Sequence, residues 1–392
     1  MKRIIIFAWC FYAGVLSVCA QSPGISPEIR EYVDFIQTRS IPAVDYVMGL
    51  FETNDVVILG ERDHRDTTQY DLIGKILSDT RFIQKVGLVL TEIGGMNYSA
   101  DANRILQGNL NEEAFRTELM GLLRETSYYP LWEKSNFYLY LDRVYRINRD
   151  LPMNDKLTVG FLNIPFSWRD SAGQSYDEYW KFCRENMPQR DRIIGQNAVR
   201  FISESPTGKA LVILNSPHSY QFYENKYGRE MAARFIFDAF PGKVANVMIN
   251  WVSLSNSDKD ERDKLIDGGR WDAAFAACEF PVVGFDLKHS PFGKTRFRDM
   301  DKPVDPIRYE DVYTGFIYYL QPYEWVWATG IPGIMDDDFG EEYIRRVSVF
   351  QGKEIKYNEA RIGRYNKMRT GSIYGRNSKM RRQIKRFYKN GT

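Results

Sequence analysis

Six short apolar runs, separated by stretches with helical spacing, constrain this chain more than any other feature. They are Val56 to Gly60, Val86 to Ile93, Leu157 to Leu162, Ala210 to Leu214, Val244 to Ile249 and Val282 to Phe285. A short run that is apolar at nearly every position and rich in β-branched residues reads as a strand buried on both faces. Between the runs the period changes. Leu72, Ile73, Ile76 and Leu77 share one side of a helix over Thr67 to Leu77. Helices also fit Pro27 to Thr38, Ala43 to Glu52, Asp191 to Glu204, Arg229 to Phe240 and the stretch around Trp271 to Ala277. Ala100 to Asp150 reads as helical with a break near Tyr129-Pro130. This alternation predicts an α/β fold: a mostly parallel central sheet flanked by helices on both faces.

The sheet domain is expected over residues 21–325, closing after an apolar run at Gly315 to Leu320. Residues 326–392 read as an irregular extension with a basic tail, and Asp336-Asp337-Asp338 with Glu341-Glu342 as a solvated turn. The net charge of +2 hides an asymmetry. From Lys353 onward a long series of Lys and Arg faces only Glu354 and Glu359. Such a tail suits contact with an anionic surface and otherwise reads as a solvated, poorly ordered end; no specific nucleic-acid partner is expected.

Residues 1–20 have the organisation of a signal peptide. Lys2 and Arg3 precede an apolar stretch from Ile4 to Val18, and Val18-Cys19-Ala20 supplies small residues before Gln21. The expected product is exported, periplasmic or secreted. No later stretch reaches the roughly 20 apolar residues of a spanning helix. Of the 4 cysteines, Cys10 and Cys19 leave with the signal, and Cys183 and Cys278 are too few for a disulfide framework.

Ligands of open parallel sheets bind beyond the carboxyl ends of the strands, so the residues following each run are the candidates for chemistry. Glu61, Arg62, Asp63, His64 and Arg65 follow the first run, Glu92 ends the second and Asn163 follows the third. Asn215, Ser216, Pro217 and His218 follow the fourth, Asn250 and Trp251 the fifth, Asp286 and His289 the sixth. The chain has only 3 histidines, and each falls just after a strand end. A neutral imidazole takes a proton from water near pH 7 and a carboxylate orients it, which points to hydrolysis by His64, Glu61, Glu92 and His218. Arg62, Arg65, Asn163, Arg190, Asn215 and His289 are the candidates for contacting a small-molecule substrate or ligand. No cofactor is required by that chemistry. The two imidazoles and two carboxylates would equally suit a divalent metal of the zinc or manganese type. No serine-hydrolase elbow, paired-cysteine metal site or glycine-rich phosphate loop is present.

Val56 to Asp66, reading VVILGERDHRD, resembles the Gly-Glu-x-x-His opening of the superfamily that joins erythromycin esterases, ChaN-like haem-binding lipoproteins and TIKI/TraB proteins. LVLTE at Glu92 and LVILNSPH at His218 resemble its second and third signatures. Arg190 to Asn197, RDRIIGQN, is similar to the Arg-Asp-x-x-Met-Ala-x-Asn helix of the esterase branch, the branch this chain favours. The resemblance covers Val56 to about Leu320. It implies one polar cleft with His64 as base and Glu61, Glu92 and His218 around it, acting on an ester, lactone or amide. Its other branches imply haem or small-ligand binding, or metal-dependent hydrolysis. The chain departs from the pattern at Arg65, where the esterases usually carry glycine, and at Pro217 before His218.

Overall fold

The computed structural model describes residues 24–221, 230–253, 264–297, 307–356, 358–375 and 378–388. The expected signal segment and its cleavage point lie outside them. Among the described residues no helix is long and apolar enough to cross a membrane.

Eight strands form the central sheet: β1 (Ile41–Pro42), β2 (Val56–Glu61), β3 (Leu88–Gly95), β4 (Thr158–Asn163), β5 (Ala210–Asn215), β6 (Val244–Ile249), β7 (Val283–Asp286) and β8 (Gly315–Tyr318). Their order is β1-β7-β8-β6-β2-β5-β3-β4. All neighbours from β8 to β4 are parallel, with Glu61 opposite Asn215 at the carboxyl end of the β2–β5 pair. β7 runs antiparallel to both β8 and β1. That direction corrects one expectation: the carboxyl end of the sixth run, with Asp286 and His289, lies at the opposite edge of the sheet from the other strand ends.

Alternation within the strands sends side chains to two covered faces. Val57, Leu59, Val89, Leu211, Ile213 and Val247 pack under α2 (Ala43–Thr53), α3 (Thr68–Leu77), α4 (Ser99–Gln107), α5 (Glu112–Glu125) and α6 (Ser135–Arg149). Val56, Ile58, Leu90, Val212 and Leu214 face α8 (Arg190–Glu204) and α9 (Ala232–Ala239). Phe285, Phe316 and Tyr318 continue that face beneath α1 (Pro27–Arg39) and α10 (Arg270–Ala277). Between α6 and α8, α7 (Tyr176–Asn186) packs Tyr179 and Cys183 against Phe166 and Trp168. Cys183 and Cys278 are not joined by a disulfide bond.

The segment after residue 325 is more ordered than its composition suggests. β9 (Val326–Thr329) pairs with β10 (Arg369–Ser372). The acidic run expected as a solvated turn instead starts α11 (Asp337–Gln351): the Asp336 carboxylate accepts the Phe339 N–H at 2.8 Å. Carboxylates at a helix amino-terminus satisfy its free N–H groups and oppose its dipole. The basic tail likewise docks. In α12 (Ser378–Lys385) and just beyond it, Met380, Ile384 and Phe387 are buried against α10 and α1. Its basic residues occupy the outer side, an amphipathic division that charge counting alone conceals.

Candidate functional site

β9 fixes the loops that hold the candidate residues. Thr67 N–H donates to Val326 O at 2.8 Å and Ala328 N–H to Arg65 O at 2.9 Å, while Gly330 N–H reaches Glu133 O at 2.9 Å. The loop after β2 is further held by its own alternating charges. Arg62 and Asp66, both fully buried, pair at 2.7 Å, and at the surface Arg65 binds both oxygens of Asp63. The Gln69 carboxamide accepts Arg62 N–H at 2.6 Å and donates to Asp63 O at 3.0 Å. Arg62 also lies over the Trp325 ring at 4.0 Å and donates to Tyr319 O at 3.1 Å. It is thus a buried strut rather than a cleft residue. Asn215 similarly ties the loop by donating to Arg62 O.

His64, between these ion pairs, keeps 26 % of its side chain exposed. Its Nδ1 lies 3.0 Å from Glu61 Oε2 and its Nε2 3.3 Å from Glu92 Oε1. Glu92 reaches that position from an irregularity in β3: Thr91 pairs with Phe161, but the next partner of β4, Asn163, is met only at Gly95. A bulge of this kind re-aims a side chain. Gly94 within it has φ +96°, and a Cβ there would stand 2.7 Å from the Phe161 ring. Beyond Glu92 lies His218, in the short turn Ser216–Ser219 after β5. Its Nε2 is 3.9 Å from Glu92 Oε2. Glu61, His64, Glu92 and His218 are therefore contiguous, with Glu92 between the two rings.

The flanking groups set opposite hydrogen-bonding roles for the two imidazoles. Both nitrogens of His64 face carboxylate oxygens, which only accept, so the ring holds hydrogens on both sides. Burial lowers its proton affinity, but Glu61 and Glu92 reverse this, and the His64 pKa is pushed up to about 10. His218 meets Arg190 Nη1 at 3.0 Å on Nε2 and Asp191 Oδ1 at 2.6 Å on Nδ1. A guanidinium only donates, so Nε2 accepts and Nδ1 carries the hydrogen to Asp191. Burial raises the Glu61 carboxyl despite the neighbouring His64. Burial would raise Glu92 too, but the neighbouring His218, the hydrogen bond from His64 and the Arg190 guanidinium together hold it below its ordinary value. Among the described residues Glu92 Oε2, which is buried, has no hydrogen-bond partner. An ionised oxygen left this way is costly and marks a place where a ligand or water belongs.

Arg190 and Asn163 join this centre, since Arg190 Nε donates to Asn163 Oδ1 at 3.1 Å. Arg65 is exposed and paired with Asp63. His289 is exposed at the far edge, where its N–H donates to Glu310, and it does not approach the others. Three contributors escaped the sequence reading. Asp191 had a signal, the Arg-Asp pair opening α8. Tyr70, whose hydroxyl donates to Glu61 Oε1 at 3.0 Å, and Trp132, whose ring meets His64 edge-on at 5.2 Å, had none. A cavity of about 740 Å³ opens between α3 and α6 and touches Tyr70, but none of the histidines line it.

The donor set does not present a metal site in this arrangement. Among the described residues no three His, Cys, Asp or Glu side chains converge on one point. All four imidazole nitrogens are engaged, and Arg190 places a permanent positive charge beside Glu92.

No family model matches the sequence and no curated protein does. Solved structures do. A succinoglycan biosynthesis protein shares 9% identity over 73% of this chain and 95% of its own, with a TM-score of 0.47. An erythromycin esterase mutant in its open conformation shares 8% identity over 75% and 96%, with a TM-score of 0.46. The haem-binding ChaN of Campylobacter jejuni shares 13% identity over 56% and 89%, with a TM-score of 0.33. Likeness at this level concerns the course of the chain and selects neither a branch nor an activity.

Proposed function

We propose that the chain is an exported hydrolase of an ester, lactone or amide, in which two histidines on either side of Glu92 divide the acid and base roles. The observation that supports this is the opposite complement of partners: acceptors on both nitrogens of His64, and a donor on Nε2 of His218. Two rings held by fixed partners in opposite hydrogen-bonding roles can divide the acid and base steps of one reaction.

In this reading the nucleophile is a water held by Glu92 Oε2, which lies 3.9 Å from His218 Nε2. When that nitrogen is released by Arg190, it takes the water's proton as the oxygen attacks the substrate carbonyl, and Asp191 stabilises the imidazolium. Arg190 stays anchored through Asn163. His64 supplies a proton to the departing alkoxide or amine, and Glu61 and Glu92 hold the ring in place throughout. Afterwards His218 carries one proton too many and His64 one too few. Glu92, within 3.3 Å of one ring and 3.9 Å of the other, is placed to return it. This division differs from the role of base that the family resemblance implies for His64.

The test is turnover of simple carboxylic esters by the mature protein and by His64→Gln and His218→Gln. Each variant is expected to lose on the order of 100-fold or more in kcat while remaining folded. Wild-type activity retained by both variants would contradict the proposal.

A further inference from the structure

Aromatic rings extend from the polar centre to the surface in an unbroken series. Trp132, against His64, is 6.2 Å from Tyr129, which is 4.5 Å from Tyr128 and 6.4 Å from Phe350 of α11. Burial raises the Tyr128 hydroxyl's pKa, and the charge of Arg190 opposes that rise. The segment 128–132 meets the His64 end of the His64–Glu92–His218 row through Trp132. Tyr129 is 41 % exposed, yet its backbone is fixed: the Trp168 indole N–H donates to Ser127 O at 2.9 Å and Tyr129 O at 3.2 Å, and the Tyr179 hydroxyl to Tyr128 O at 3.2 Å. A rigidly presented, half-exposed aromatic beside a polar centre is the anatomy of a binding hot spot, because little freedom is lost when it is covered.

Resting on the hydrolase reading, we propose that Tyr129 and its neighbours form a subsite for a flat aromatic ring joined by a short chain to the scissile carbonyl. Ring faces and edges pair with aromatic partners beyond what their area alone provides. A planar ring is therefore favoured over a saturated ring of the same size.

The experiment compares kcat/KM for ethyl 4-phenylbutanoate and ethyl 4-cyclohexylbutanoate, whose rings are insulated from the ester by the same methylenes. The aromatic substrate is expected to be preferred by about 5- to 10-fold. Tyr129→Ala should bring the ratio near one, and Tyr129→Phe should keep it. If the wild type hydrolyses both esters equally, the subsite is overturned and the hydrolase reading stands. If it hydrolyses neither, the hydrolase reading fails. Calorimetric binding of 4-phenylbutanoate and 4-cyclohexylbutanoate then decides the subsite: tighter binding of the aromatic acid, lost in Tyr129→Ala, supports it, and equal binding overturns it.

Discussion

Phe387→Ala separates a docked basic tail from a solvated one. Phe387 is 2 % exposed, in the cluster that joins α12 to α10 and α1. Its carbonyl accepts the Ser26 N–H at 2.8 Å, so it also holds the start of α1. Arg386 and Arg270 lie over the ring at 4.6 and 5.8 Å. Truncating a buried phenylalanine costs about 3–5 kcal/mol, from lost transfer energy and the cavity left behind. A substitution in a solvated end costs within about 0.5 kcal/mol. The two expectations therefore differ several-fold. Urea denaturation of the mature protein reads the difference: at an m-value of about 3 kcal/mol/M, the midpoint should fall by about 1 M or more. Lys385→Ala, on the exposed side of the same helix, should leave it in place. A Phe387→Ala midpoint indistinguishable from that of Lys385→Ala would refute the docked tail.

Arg346 is 1 % exposed, pairs with Glu342 and Glu125 at 2.7 Å each, and faces the Trp168 ring. Arg346→Met should cost about 3–5 kcal/mol by stranding Glu125, and a loss under about 1 kcal/mol in denaturation would show the pairs to be dispensable. With no disulfide between Cys183 and Cys278, reductant should not shift the denaturation midpoint, and both thiols should titrate in the unfolded mature protein; the absence of titratable thiol would reveal a bridge. Intact mass of exported protein should place the amino-terminus at Gln21, whereas a lipid-modified Cys19 or retained Met1 would contradict cleavage after Ala20.

The buried parallel strands were legible because an apolar β-branched run reports its own burial. Val244 to Ile249 was read with its observed ends, and Val56 to Gly60 and Ala210 to Leu214 fell one residue short, stopping before Glu61 and Asn215. Strand direction was not legible. An apolar run such as Val282 to Phe285 reads the same in either direction, and nothing in it marks that the strand runs antiparallel to both neighbours. The same limit applied to the site. Glu61, His64, Glu92 and His218 stood out as polar residues closing apolar runs. His289 stood out equally and lies elsewhere, because its position depended on that direction. Tyr70 and Trp132 carry no motif that sets them apart from the chain's other aromatics, and only the fold shows that they touch the polar row. Arg62 looked like a ligand contact from its place beside Glu61, yet burial and the pair with Asp66 make it structural. In the tail, charge count outweighed the spacing of Met380, Ile384 and Phe387, which marks one helical face.

The division of roles between His64 and His218 is tested most directly by the pH dependence of kcat/KM, which reports the free enzyme's acid and base. In the proposed mechanism His64 is the acid, its pKa raised to about 10 by Glu61 and Glu92 against burial. Its contribution is therefore complete below the ordinary histidine range and through neutral pH, and is lost as pH rises through about 10. The account predicts a descending limb near pH 10 that is absent from the residual activity of His64→Gln. A kcat/KM that instead climbs through that range to a plateau would mean His64 works as the deprotonated base, and would contradict the account.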